Sequence, residues 1–461
     1  MKPVDALPAE VVEEGGVAAA RAGRMVEVGG LAAARATRVG EVVGEVAGRL
    51  RDLDSVVAAT TANGDVIDIA DLKCPPWDVT TLSRGPGALA ILFAELGERE
   101  VAHEYLSRTV AESAALPVAG ALEGLGALAT ATRIAAREPG DYASILTRLD
   151  DRMSEHARWL VSVHQATRQA QVPTCAGVVD VVSGLAGVGR YLLARERHDV
   201  LEEVLTCLSS LREPLKIDGI EVPGWWFDGT EKTIVGPGFE RGQANFGLAH
   251  GIPGPLALLA LSWSAGIRVD GQAEAITTMA DWLLDRRESD AYGNYWTGFV
   301  PLDGYANRDR RPRPQPARAS WCYGAPGIAR ALDFAADALN RPDWTAAGLD
   351  AFRSLLARPI DDWGITDDAF CHGWAGMLYL CVLFDRSHPG QEFGPAADRL
   401  ADRLIERFDP ALPFGYRYYQ PVADLHLDLP GLMEGAAGIA LALSAYARPP
   451  RTDWDSALLL S

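Results

Sequence analysis

Three places in this 461-residue chain set metal-type side chains directly before a glycine turn. Cys322 precedes Tyr323-Gly324, the pair Cys371-His372 precedes Gly373, and His250 precedes Gly251. Zinc prefers thiolate and imidazole, and its structural sites fill all four positions with protein ligands. Cys322, Cys371 and His372 supply three, the pattern of a site with one position left open. Two thiolates cancel the dication. An added thiol would therefore make the cluster net negative and keep its sulfur nucleophilic, whereas an all-histidine set suits water activation. The ligand set points to thiol chemistry. A lone Cys before a turn is otherwise a small buried side chain, but an adjacent Cys-His pair at the same place in a repeat weighs against that reading. Cys74, Cys175, Cys207 and Cys381 lie away from this position and read as structural or incidental.

The elements that must hold these residues are marked by the same glycines. Seven stretches repeat a glycine turn followed by an apolar run, beginning at Arg84, Glu123, Ser183, His250, Tyr323, His372 and Glu434. The first two keep only the later glycine of the G-x-x-G pair. An internal repeat of this kind marks stacked units that bury their apolar faces on one another. One glycine allows a sharp turn, the next allows close packing at the start of a helix, and Pro at the first helical position fixes φ. Amphipathic stretches between the turns, such as 273–287 and 344–356, supply an outer helix for each inner one. The last copy is as apolar as the middle ones, which favours a closed ring over a capped solenoid. The expected fold is all-α, a double-layered α/α toroid of about seven helical hairpins. Its glycine turns gather at one rim.

Two aromatic- and glycine-rich stretches, about 217–247 and 289–319, break the helical pattern and are expected to form short strands or loops walling a cleft. Residues 1–72 differ in composition. Gly15–Val28 recurs nearly in register as Gly29–Val42, which predicts a helical extension outside the main core, followed by a toroid domain over 73–461. The net charge of −19 argues against tracking nucleic-acid phosphates or an anionic membrane surface. No signal segment or membrane-length apolar run is present, and six scattered cysteines make no disulfide framework. A cytoplasmic protein is expected.

The stretches NFGLAHGIPGPLALL (245–259), RASWCYGAPGIARA (318–331), FCHGWAGML (370–378) and GLMEGAAGIALAL (431–443), with DVVSGLAG from Asp180, closely resemble the lanthionine synthetase C-like family from about residue 75 onward. The resemblance implies the toroid, a zinc ion on Cys322, Cys371 and His372, and catalytic roles for His250, Asp180 and Arg318. Tyr323 is assigned to substrate binding. The reaction implied is addition of a peptide cysteine thiol to dehydroalanine or dehydrobutyrine, giving lanthionine or methyllanthionine. The implied partners are a dehydrated precursor peptide with its leader and a separate lanthipeptide dehydratase, since the residues before Cys74 are too few for a fused one.

The residue chemistry agrees. The enolate left by thiol addition needs a proton at Cα, and His250 is suited to give it. Asp180 could orient His250, and Arg318 could stabilise the enolate oxygen. An equal alternative for Asp180 and Arg318 is a mutual ion pair propping the rim. Two other functions compete: addition of glutathione by the same chemistry, and a scaffold that keeps zinc for structure. A glycan-processing barrel would need paired carboxylates, and here Glu123 and Glu434 stand apart in the repeat.

Overall fold

A computed structural model describes residues 33–62, 64–69, 72–113, 116–228, 238–308 and 313–461. Seven inner helices follow the seven glycine turns: Pro86–Leu96, Leu125–Ala135, Leu185–Ala194, Pro253–Ser264, Ala325–Leu339, Trp374–Ser387 and Ala436–Ala447. The outer layer holds Arg99–Ser113, Ala143–Gln169, His198–Ser209, Gln272–Asp285, Pro342–Leu356 and Phe393–Arg407. The chain adopts the expected toroid. Side-chain pattern decides the layer. Ten of the eleven residues of Pro86–Leu96 are buried, as a helix apolar all round requires. Phe393–Arg407 buries Phe393, Ala396, Ala397, Leu400, Ala401 and Leu404, a single stripe at helical spacing. No helix among the described residues is long and apolar enough to cross a membrane.

The rim is closed by backbone hydrogen bonds from each turn to the next. Leu82 N donates to Leu122 O at 3.0 Å, Leu122 N to Val182 O at 3.3 Å, Val181 N to Ala249 O at 2.9 Å, and Ala249 N to Cys322 O at 3.4 Å. Cys322 N then donates to Cys371 O at 3.3 Å and Cys371 N to Met433 O at 2.8 Å, and Leu432 N returns to Leu82 O at 3.0 Å. Equivalent positions in the repeat thereby become neighbours on a ring. Such contact demands glycine where helix and turn meet. A Cβ on Gly376 would lie 2.0 Å from Phe370 O, and one on Gly327 would lie 2.5 Å from Trp321 O.

The N-terminal part differs from expectation. The tandem repeat lies largely outside the described residues, but the helix over 33–49 is not peripheral to the core. Val39, Val42, Val46 and Leu50 are fully buried in the main hydrophobic cluster, each contributing roughly 1.5–3 kcal/mol relative to exposure. Arg35 pairs with Asp398 at 3.1 Å and Asp402 at 2.6 Å on the sixth outer helix, and Tyr105 Oη donates to Leu50 O at 2.6 Å. Among the described residues no outer helix follows the seventh inner helix, and the N-terminal helix lies between the sixth outer helix and the first. The segment after it, 452–461, runs among the inner helices instead. Glu95 accepts from Thr452 N at 2.8 Å, Leu458 O accepts from Trp321 Nε1 at 3.0 Å, and Leu460 O accepts from Arg330 Nε at 2.9 Å.

The two irregular stretches form short antiparallel pairs. Gln243–Asn245 of the first pairs with Phe299–Pro301 of the second, with Ala244 opposite Val300, so the two are tied together beside the His250 turn. A further hairpin, Tyr418–Gln420 with Leu425–Leu427, stands beside the sixth turn.

Candidate metal centre

Cys322 and Cys371-His372 stand on the fifth and sixth turns, joined by the Cys322 N to Cys371 O bond. Their ligand atoms lie within 4.8 Å of one another, and this is the group of potential metal ligands found among the described residues. No disulfide joins the described cysteines. The Cys371 thiol beside it, with His372 and Arg318, holds Cys322 well below the ordinary thiol range despite burial. Cys371, sharing a proton with Cys322 and buried, is pushed well above it. Burial pulls His372 down, but the Cys322 sulfur and the Asp367 carboxylate raise it on balance. Two sulfurs and an imidazole at this separation, already drawing positive charge toward Cys322, suit a zinc ion.

The other proposed residues occupy the neighbouring turns. On the third, Asp180 is buried, and its Oδ1 accepts from Ser183 N and Gly184 N, both at 2.8 Å. Its Oδ2 lies 2.6 Å from His250 Nδ1 on the fourth. The two backbone donors fix the carboxylate, and the carboxylate fixes the ring. The His250 side chain keeps 35% of its exposure, so it remains open to solvent. The Ala249 N to Cys322 O bond sets this turn directly against that of Cys322. Arg318 stands six residues before Gly324, and its charge bears on Cys322, Cys371 and His372. Among the described residues no ion pair joins Asp180 to Arg318; Asp180 is engaged by His250 instead. Tyr323 Oη accepts from Asn245 Nδ2 at 3.2 Å, and its ring lies against Phe299 with centroids 5.0 Å apart. Four consecutive turns thus hold all seven residues singled out in the sequence.

The remaining rim residues are engaged locally. Glu434 pairs with Arg84 at 2.7 Å. Glu123 accepts from Ser183 Oγ at 3.1 Å, and burial raises its carboxyl. Three supporting residues were missed in the sequence: Asn245, Asp367 and Tyr418. Tyr418 Oη lies 3.2 Å from His372 Nε2, and Asp367 Oδ2 lies 3.6 Å from the same nitrogen. Asn245 and Asp367 share a readable signal, since each stands six residues before a turn glycine, as Arg318 does. Tyr418 lies outside the repeat and carries none.

Comparison with known proteins places this geometry. The family model described as lanthionine synthetase C-like protein matches residues 76–459. The nisin biosynthesis protein NisC of Lactococcus lactis subsp. lactis is 23% identical over 290 residues, 61% of this chain. That match spans 64% of the relative's own length, less than two thirds. The solved structure of a nisin cyclase superposes with a TM-score of 0.68 at 20% identity, covering 83% of this chain and 92% of that one.

Proposed function

This chain belongs to the lanthionine synthetase C-like family, and on that premise we propose that it is a zinc-dependent cyclase that adds peptide cysteine thiols to dehydroalanine or dehydrobutyrine. The observation that carries the reading is the meeting of two constellations on four consecutive rim turns. A two-sulfur, one-imidazole cluster stands beside a carboxylate-fixed histidine. A glycan-processing barrel has no use for the first, and a scaffold with structural zinc has no use for the second.

Each step can be given to residues of the chain. Cys322, Cys371 and His372 would hold the zinc, which when bound lowers the pKa of an incoming thiol while the two thiolates keep that sulfur electron-rich. Tyr323, supported by Asn245 and Phe299, would orient the peptide at the mouth of the cluster. The sulfur forms a bond to Cβ as the Cα–Cβ π bond opens, and electron density moves to the carbonyl oxygen. Arg318, whose charge already bears on the cluster, would stabilise that oxygen. Asp180 fixes the Nδ1–H of His250, so Nε2 is the nitrogen that delivers a proton to Cα. The thiol proton passes to solvent, which recharges His250. One S–H and one π bond are exchanged for one S–C and one C–H, and the peptide mass does not change.

The substrate would be a dehydrated precursor peptide with its leader, made by a separate dehydratase. The test is ring closure on a synthetic peptide holding one cysteine and one dehydroalanine. The readout is loss of maleimide-reactive thiol at constant mass. His250→Ala should slow closure about 10²–10⁴-fold, the usual share of a general acid. Closure at the parent rate in that variant would remove His250 from the mechanism. Glutathione adducts in place of rings would replace cyclisation with intermolecular thiol transfer.

A further inference from the structure

We propose that Asp367 and Tyr418 are positioning residues for His372: together they engage Nε2–H, so that Nδ1 is the nitrogen presented to the metal. This rests on the reading of Cys322, Cys371 and His372 as a zinc centre.

The Asp367 side chain is fully buried, with 0% exposure. Its Oδ1 accepts from Ala369 N at 2.8 Å, while Oδ2 has no hydrogen-bond partner among the described residues. A buried carboxylate oxygen without a donor is expensive. The His372 imidazole faces it, with Nε2 at 3.6 Å. On the same nitrogen the Tyr418 hydroxyl stands at 3.2 Å, its ring edge-on to the imidazole with centroids 5.8 Å apart. The Tyr418 hydroxyl within hydrogen-bond distance and the Asp367 carboxylate oxygen just beyond it, both on Nε2, favour the tautomer with the proton there and the lone pair on Nδ1. Metal-bound histidines are commonly oriented by such a carboxylate or oxygen behind the ring.

Both supports are themselves held. Asp367 keeps its turn through the Ala369 bond and lies six residues before Gly373, where Asn245 lies before Gly251. Asn245 uses its side chain to hold Tyr323, so the offset already serves as a support position in the fourth copy. Tyr418 belongs to a small cluster with Ala369, Leu427, Leu429 and Ile67. Its hairpin is clamped by Arg417, which grips both oxygens of Asp428 at 3.0 and 2.9 Å.

Asp367→Asn keeps an oxygen for Ala369 N but turns an amide NH₂ toward Nε2, which cannot accept its proton. Tyr418→Phe keeps the ring and deletes the acceptor. The full chain and both variants are stripped of metal, then titrated with zinc against a chelator and with cobalt for its absorption spectrum. Cys371→Ala is the ligand-loss control. Zinc affinity should fall 10–100-fold in Asp367→Asn and in the same direction in Tyr418→Phe, with altered cobalt d–d bands and unchanged melting of the metal-free proteins. Parent-like affinity and spectra in both variants would overturn the positioning role while leaving the metal centre standing. If the parent itself takes up no metal, the metal-centre reading fails and the positioning role with it. Should Asp367→Asn not fold, Tyr418→Phe decides alone.

Discussion

The glycine at position 376 offers a direct test of how the turns build the site. In the helix Trp374–Ser387 an alanine Cβ there would lie 2.0 Å from Phe370 O, where ordinary contact begins at 3.4 Å. That oxygen belongs to main chain and cannot swing aside, so the carbonyl must retreat by more than an ångström. Phe370 is followed by Cys371, whose N–H makes the rim bond to Met433 O at 2.8 Å. Overpacking of this kind costs about 1–3 kcal/mol, and weakening of the rim bond adds roughly 1 kcal/mol. Gly376→Ala should therefore lose about 2–4 kcal/mol of stability and bind zinc more weakly through displacement of Cys371. Gly44 in the helix over 33–49 is the control. It is exposed, and a Cβ there meets nothing within 4 Å, so the same substitution should stabilise by up to about 1 kcal/mol. Urea midpoints at matched slopes measure both effects, and chelator competition measures zinc. Equal shifts at the two positions, or unchanged zinc affinity in Gly376→Ala, would refute the claim that close turn packing sets the cysteine.

Further outcomes follow from other contacts. Asp180→Asn should preserve zinc binding yet slow ring closure by orders of magnitude, because the amide no longer fixes the Nδ1–H form of His250; loss of metal along with activity would point to a structural role. Tyr105→Phe removes the 2.6 Å bond to Leu50 O and should cost about 1–3 kcal/mol by leaving that carbonyl unpaired. A thermal scan in which only a separate, early transition moved would show that the N-terminal helix is not part of the ring. His164 is buried in the second outer helix, and burial lowers it to about 4. Its neutral form is favoured in the folded state, so its stability contribution is full above the unfolded value of 6.5 and is lost as pH falls toward 4. Between pH 7 and pH 5 that amounts to about 2 kcal/mol. His164→Gln should remove that part of the slope, and an unchanged slope in denaturant titrations at the two pH values would contradict it.

The toroid was legible because its determinants are local and repeated. Glycine and apolar runs recur at each turn, with proline at those beginning at Arg84, His250 and Tyr323, and the outer helices announce themselves by a 3.6-residue stripe. The candidate ligands were legible for the same reason: Cys322 and Cys371 stand at one offset from Gly324 and Gly373, with His372 next to the second, and the ring turns equal offsets into spatial neighbours. What was not legible depends on contacts distant in sequence. The helix over 33–49 carries Val39, Val42 and Val46 on one face, which reads equally well as a free amphipathic helix; its place is set by Asp398 and Asp402, which hold Arg35, and by Tyr105, which holds Leu50 O. The residues from 452 to 461 look like a tail, and their place among the inner helices is set by Glu95, Trp321 and Arg330, each more than a hundred residues away.

The same distinction separates the two kinds of residue in the site. Groups proposed to touch the reacting atoms sit at the turns, where the repeat fixes them in position whatever the intervening loops do. The groups behind them come partly from the repeat, as Asn245 and Asp367 do, and partly from an inserted hairpin, as Tyr418 does. An insertion is free to vary in length without disturbing the ring, because the rim closes through the turns alone. The support it lends is therefore the adjustable part of the centre. A change at Tyr418 should tune how firmly His372 is held, whereas a change at Cys322, Cys371 or His372 should abolish metal binding. Graded zinc affinity in the first case against all-or-none uptake in the second is the signature that division of labour predicts.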